Sequence, residues 1–456
     1  MKILFTIMII SLVTVANAQH SQHTMMGMDM PMGKRDTVAG KDTMPMSHPM
    51  GHTHRMHSMT SAYSLSLPMN RNGSGTGWQP DNTPMYMLMK HGQKDMWMFH
   101  GSVFLRYNNQ QLTQQTSRSG TSVDAPNWMM AMYNRQVGKN GLFSFSGMFS
   151  LDALTVGKGG YPLLFQSGEA YKGVPLVDKQ HPHDLFSELS VSYSQRLSRK
   201  VDVFGYFGYP DEPALGPVAF MHRNSAMNDP DAPLGHHWQD ATHITFGVAT
   251  LGIRLDKVLL EASSFTGREP DENRYDFDRM HFDSYSWRVS YNPVAAWSFQ
   301  VSQGYIQSPE VLRPSENVWR YTASASYATP VSETGQYFTG SLVWGMNDEG
   351  NGHREQSVLL EATRQLPKQA VYGRYEFVQK SSEELNLESL YGDTRFDIHK
   401  LTLGTNHQLW ELSGFNLLVG AQVSLNVAPA SLQPLYGKLP MAGEIYLQVR
   451  PRLSKM

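Results

Sequence analysis

The chain contains no cysteine. That excludes disulfides, thiolate metal ligands and lipid attachment at an N-terminal cysteine. It has no stretch approaching the ~20 continuous apolar residues of a membrane-spanning helix. Neither sign of charge is in excess: 38 Lys+Arg against 40 Asp+Glu leave a net charge of -2 and no argument for nucleic acid. No Gly-rich phosphate loop, zincin helix or G-x-S-x-G elbow is visible, so no enzyme is expected. Ser and His both abound, which keeps a hydrolase as the least favoured alternative.

What is present begins with a leader. Met1-Lys2, the apolar run Ile3–Val15 and Ala16-Asn17-Ala18 form a charged n-region, a short h-region and a cleavage site, so 1–18 reads as a signal peptide. Residues 19–70 form a Met/His-rich tail. Residues 19–69 hold eleven Met and six His with no apolar period, which predicts disorder without metal. Thioethers suit Cu(I) and imidazoles suit Cu(II) or Zn. Met25, Met26, Met28, Met30 and Met32 form one candidate ligand cluster. Met44, Met46, His48, Met50, His52, His54, Met56 and His57 lie in a second. Copper is therefore the expected ion, Cu(I) favoured in the tail; the alternative is a low-complexity linker.

Residues 71–95 form a Gly/Pro/Met joint or small plug segment. Met85, Met87, Met89 and His91 alternate there, so an extended backbone puts them on one side. They suit either packing in a barrel mouth or a metal relay.

From 96 to 456 strand-like stretches recur. In 185–197, Leu185, Leu189, Val191 and Tyr193 share one parity and Glu188, Ser190, Ser192, Ser194 and Arg196 the other. Trp287, Val289 and Tyr291 likewise oppose Ser286, Arg288 and Ser290. About 16 such stretches, 141–154 and 243–254 among them, alternate between short connections and long ones such as 347–354, the signature of an outer-membrane barrel. The fold expected is an all-β, transmembrane, antiparallel up-and-down β-barrel of about 16 strands with a disordered N-terminal periplasmic tail. Both termini then lie at the short-turn, periplasmic rim. Loops at 210–242 and 381–397 are expected outside, and the lumen is expected to be aqueous.

Two constellations carry chemistry in the barrel. Met96, Met98 and His100 oppose Trp97 and Phe99, so they face the lumen as a ligand ladder or as packing. His181, His183 and Asp184, with His222, His236, His237, Asp240, His243 and Glu269, crowd the long loops. That density suits a borderline divalent cation, Cu(II) or Zn, or a hydrogen-bonded loop network.

The leader, the MMGMDMPM and MPMSHPMGHTHRMH tracts and the C-terminal barrel together resemble the CopB/PcoB-type copper-resistance outer-membrane proteins. GSGTGWQPDNTPM, HPHDLF and GHHWQDATHI resemble a related group of Met/His-tailed bacterial outer-membrane barrels. The resemblance implies copper binding, tolerance or export at the outer membrane, with lipid, metal ion and periplasmic copper-handling proteins as partners. The alternative is a porin-like channel for another small solute.

Overall fold

The computed structural model describes residues 60–350 and 352–454. The tail ligands Met25, Met26, Met28, Met30, Met32, Met44, Met46, His48, Met50, His52, His54, Met56 and His57 lie outside the described residues, as does the leader.

Sixteen long antiparallel strands close into a barrel. They are β1 (Asp95–Asn109), β2 (Asn127–Val137), β3 (Gly141–Phe149), β4 (Phe186–Ser198), β5 (Val201–Gly208), β6 (Val248–Leu255), β7 (Val258–Phe265) and β8 (Ser284–Tyr291). The circuit continues with β9 (Trp297–Gln307), β10 (Asn317–Ala328), β11 (Tyr337–Gly350), β12 (His353–Gln365), β13 (Gln369–Ser381), β14 (Arg395–Leu412), β15 (Phe415–Val427) and β16 (Met441–Pro451). The last strand pairs with the first, from Gly443 opposite Asn109 to Val449 opposite Val103. Closure leaves no open edge in the wall, the condition for sheet structure in lipid.

Burial along each strand is inverted relative to a water-soluble sheet. Trp287 and Tyr291 are 43% and 44% exposed, whereas Ser286, Arg288 and Ser290 are buried. On β16, Ile445, Leu447 and Val449 are exposed and Glu444, Tyr446 and Gln448 are buried. A belt of Trp, Phe, Leu, Val and Tyr round the outside is stable only against lipid.

The interior departs from the aqueous lumen expected at this strand number. Two segments fill it. The first is 60–85, so residues 60–70, expected as the end of the disordered tail, are instead packed inside the wall, with Ser61, Ser64, Met69 and Asn70 buried. It contains a two-stranded ribbon of Thr60–Ser61 and Ser64–Pro68. Ser194 Oγ donates to the Tyr63 carbonyl at 2.7 Å and Ser144 Oγ to the Ala62 carbonyl at 3.0 Å. The second is 209–247, the segment expected outside at 210–242. It folds inward, and Asn228 is 0% exposed. Ala214 N–H donates to Ser263 Oγ at 2.8 Å, Gly216 N–H to Ser302 Oγ at 2.9 Å, and Thr363 Oγ1 to the Ser225 carbonyl at 2.9 Å. The small hydroxyls on the inward parity thus serve an irregular backbone that could not otherwise be buried.

Ion pairs fix the same insert. Arg106 of β1 meets Asp231 at 2.9 Å, Arg223 meets Glu361 of β12 at 2.8 Å, and Arg374 of β13 meets Asp229 at 3.1 Å. Close approach is allowed by small wall residues: a Cβ at Gly345 of β11 would lie 2.1 Å from the Trp238 carbonyl oxygen. At the long-loop rim Leu163, Phe165, Leu234, Trp238, Leu385, Phe396, Leu432 and Tyr436 form an apolar core.

Three boundaries also shift. The strand expected over 141–154 ends at Phe149, because Asp152 turns inward and accepts the Asn127 N–H at 2.8 Å. The strand expected over 243–254 starts at Val248, since His243 lies in a 3-10 turn. The long loop expected at 347–354 is the tip of an extended hairpin, where Arg354 pairs Asp348 at 2.7 Å.

Candidate functional site

The inward parity of β1 carries Met96, Met98 and His100, as the alternation with Trp97 and Phe99 requires. Met98 is wholly buried, while Trp97 and Phe99 are 40% and 44% exposed. On one side β2 sets Met132 opposite Met98 and Met130 opposite His100. On the other side a short strand, Leu88–His91, sets Met89 opposite Met98 and His91 opposite Met96. Directly opposed residues lie ~4.5–5.5 Å apart at Cβ, closer than the ~6.5–7 Å between successive same-face residues on one strand. Three adjacent chains therefore present one patch of thioethers and imidazoles. Met69 and Met85 of the inserted segment pack against it.

This patch borders a cavity of about 160 Å³. Its lining runs from His183 at the long-loop end, past His222, His100 and Met130, to Met132, Met85 and Met69. His100 Nε2 lies 2.9 Å from Met130 Sδ, and the His100 and His222 rings are centred 5.7 Å apart. Trp128 stands edge-on to His100 and tilted over His222, at 5.1 and 4.9 Å. Burial pulls the His222 imidazole down to about 4, so it is neutral at physiological pH and its lone pair is free to bind metal. A second cavity of about 170 Å³ at the short-turn rim is lined by His91, Met96 and Asp95. Between the two lie the opposed residues Met89 and Met98.

The long-loop histidines gather separately. His181, His183, His236, His237 and His243 have neighbouring ring centres 4.9–6.3 Å apart. Asp184 is beside them but belongs to Arg274, which it meets at 3.1 Å. His222, grouped by sequence with these residues, instead stands against His100. Glu269 faces His237 at 3.6 Å. Gly168, at φ +136°, lets the chain pass over the His237 ring; a Cβ there would come within 2.2 Å of it. Among the described residues, Asp271, Asp276 and Asp278 place three carboxylate oxygens within 4.8 Å of one another. They hold a turn: Asp278 accepts the Asp271 N–H at 2.9 Å and Asp271 the Asn273 N–H at 2.6 Å.

Sequence reasoning missed Met130 and Met132, although N-W-M-M-A-M-Y places both on the inward parity of β2. It also missed Asp152 and Glu169, whose places beside His183 and His181 depend on loop paths that no local pattern encodes.

No protein-family model matches the chain, and no curated protein matches it. Solved structures do. The OmpF complex of Salmonella typhi with daunomycin is 8% identical at a TM-score of 0.47, covering 80% of this chain and 100% of that one. The anion-selective porin of Comamonas acidovorans is 12% identical at 0.47, covering 78% and 99%. A loop-deletion mutant of OmpT, an outer membrane protein of Vibrio cholerae, is 10% identical at 0.44, covering 78% and 99%. The class of this barrel rests on its own closed, lipid-facing sheet.

Proposed function

We propose that the chain is a porin-like channel of the bacterial outer membrane for a small solute, occluded by its own inserted segments. The solute it selects is a soft metal ion, Cu(I) or Ag(I). One observation supports the second half: a cavity inside the barrel has His183, His222, His100, Met130, Met132 and Met85 among its lining. Thioether and neutral imidazole bind soft ions, and a filled lumen of this kind has little room for a sugar or peptide.

The spacing fits passage better than storage. Donors two residues apart on one strand are too far for one ion to bridge, but opposed donors on β1, β2 and Leu88–His91 are close enough. An ion would step from pair to pair, and several weak sites conduct where one tight site would trap. The tail at 19–59 would gather metal on the periplasmic side, received from copper-handling proteins there.

The test is flux into proteoliposomes holding the full chain. The reading predicts Ag(I) entry without entry of a small neutral sugar. It also predicts that Met96→Leu, Met98→Leu, His100→Gln lowers Ag(I) flux at least tenfold, while the barrel keeps its heat-modifiable mobility. Sugar entry with no Ag(I) selectivity would leave the porin-like half and remove the metal. Absence of both fluxes would remove the channel.

A further inference from the structure

Three buried imidazole nitrogens in the long-loop cluster have no partner: Nε2 of His183, of His237 and of His243. The residues are 9%, 7% and 7% exposed. A buried lone pair or N–H without a partner keeps its full desolvation cost, so three together call for an occupant.

The opposite ring atoms show which kind. His243 Nδ1 lies 2.8 Å from the Asp240 carbonyl oxygen. A carbonyl only accepts, so Nδ1 carries the hydrogen. With the hydrogen there, the neutral ring leaves its Nε2 as a bare lone pair. His183 Nδ1 lies 2.7 Å from Asp152 Oδ2, and His237 Nδ1 faces Glu269 at 3.6 Å. His236 Nδ1 meets Asp240 at 2.6 Å. Imidazoles held at Nδ1 by carboxylate or carbonyl, with Nε2 directed elsewhere, are built as metal ligands are. A shared cavity is lined by His181, His183, His237 and His243, with Glu169 and Glu269. Arg274 lies beside it and pairs with Glu169 and Asp184. That leaves Asp152, Asp240 and Glu269 oriented on the histidines. No thioether lines this cavity, so its donors are borderline rather than soft.

We propose that His183, His237 and His243 hold one borderline divalent transition-metal ion, of the Zn(II), Ni(II) or Cu(II) class. His181, whose Nε2 faces Glu169 Oε1 at 3.2 Å, lies beside the site. The ion pins the inserted segment, which supplies His237 and His243, to the 155–184 loop, which supplies His183. With neighbouring ring centres 4.9–6.3 Å apart, the rings must draw inward to close on an ion. This site is independent of soft-ion passage, because its ligands and its metal class differ.

The experiment uses full-length protein in detergent, stripped by chelator. Its tail residues His20, His23, His48, His52, His54 and His57 are replaced by glutamine. After Zn(II) loading and gel filtration, elemental analysis should find one ion per chain, and His183→Gln with His243→Gln should lose it. Exposed His353→Gln should keep it. Equal zinc in the parent and in the folded double variant would overturn the site, as would no retained zinc. Should the double variant fail to fold, the parent alone decides. Loaded with Cu(II), it should show hyperfine coupling to at least three imidazole nitrogens, and an oxygen-dominated spectrum would overturn the proposal.

Discussion

Arg106 stands inside the wall with Asp124 at 2.6 Å, Asp231 at 2.9 Å and Glu444 at 3.2 Å. Its side chain is 0% exposed. A guanidinium in that position is tolerable only because several carboxylates meet it, and one of them, Asp231, comes from the inserted segment. Asp231 also lies 3.4 Å from Lys400. Removing one member of such a set leaves charge buried and uncompensated, at a cost of about 3–5 kcal/mol. Asp231→Ala is therefore expected to lower the temperature at which the barrel loses its compact mobility on gels. Ser332→Ala, in an exposed turn, should not. An unchanged transition for Asp231→Ala would show that the insert is not held by these pairs. At this scale the sequence was legible where parity decides, as for Met98 and His100. It was silent on Asp231, because an Asp in N-D-P-D-A-P reads equally well as solvated loop.

The strands carried their own signal. Alternation of Ser290 with Val289 and of Gln422 with Val423 separates lumen from lipid, and the tight turns between hairpins set the register. The direction taken by the segment 209–247 was not legible in the same way. Leu215, Phe220, Leu234 and Trp238 do mark it as apolar for an external loop, but no local rule says whether such residues cover a partner or fill a lumen. The structure puts them inside, with Leu215 against Trp78 and Trp238 in the rim core. A cysteine at Asn228 should therefore stay unlabelled by an impermeant thiol reagent on whole cells. One at Leu390, 66% exposed in the 381–397 loop, should be labelled. Labelling at Asn228 equal to that at Leu390 would mean that the segment spends its time outside.

Over the described residues, the barrel is a lipid-facing wall whose polar interior is occupied by its own chain. Wall serines and threonines satisfy the insert's backbone, and ion pairs lock it in place. A line of Met and His remains between insert and wall along β1 and β2. Composition alone drew attention to the tail, whereas the barrel holds its own soft donors, several of them missed because they come together only across strands. The central claim, that this line binds a soft ion, is tested most directly by X-ray absorption at the copper edge. The sample is full-length protein loaded with Cu(I), with every Met and His from 19 to 59 replaced by Leu or Gln. The account predicts bound copper with a mixed sulfur and nitrogen shell, lost when Met98, Met130 and His100 are replaced by Leu, Leu and Gln. Bound copper with a nitrogen and oxygen shell alone, or no bound copper, would contradict it.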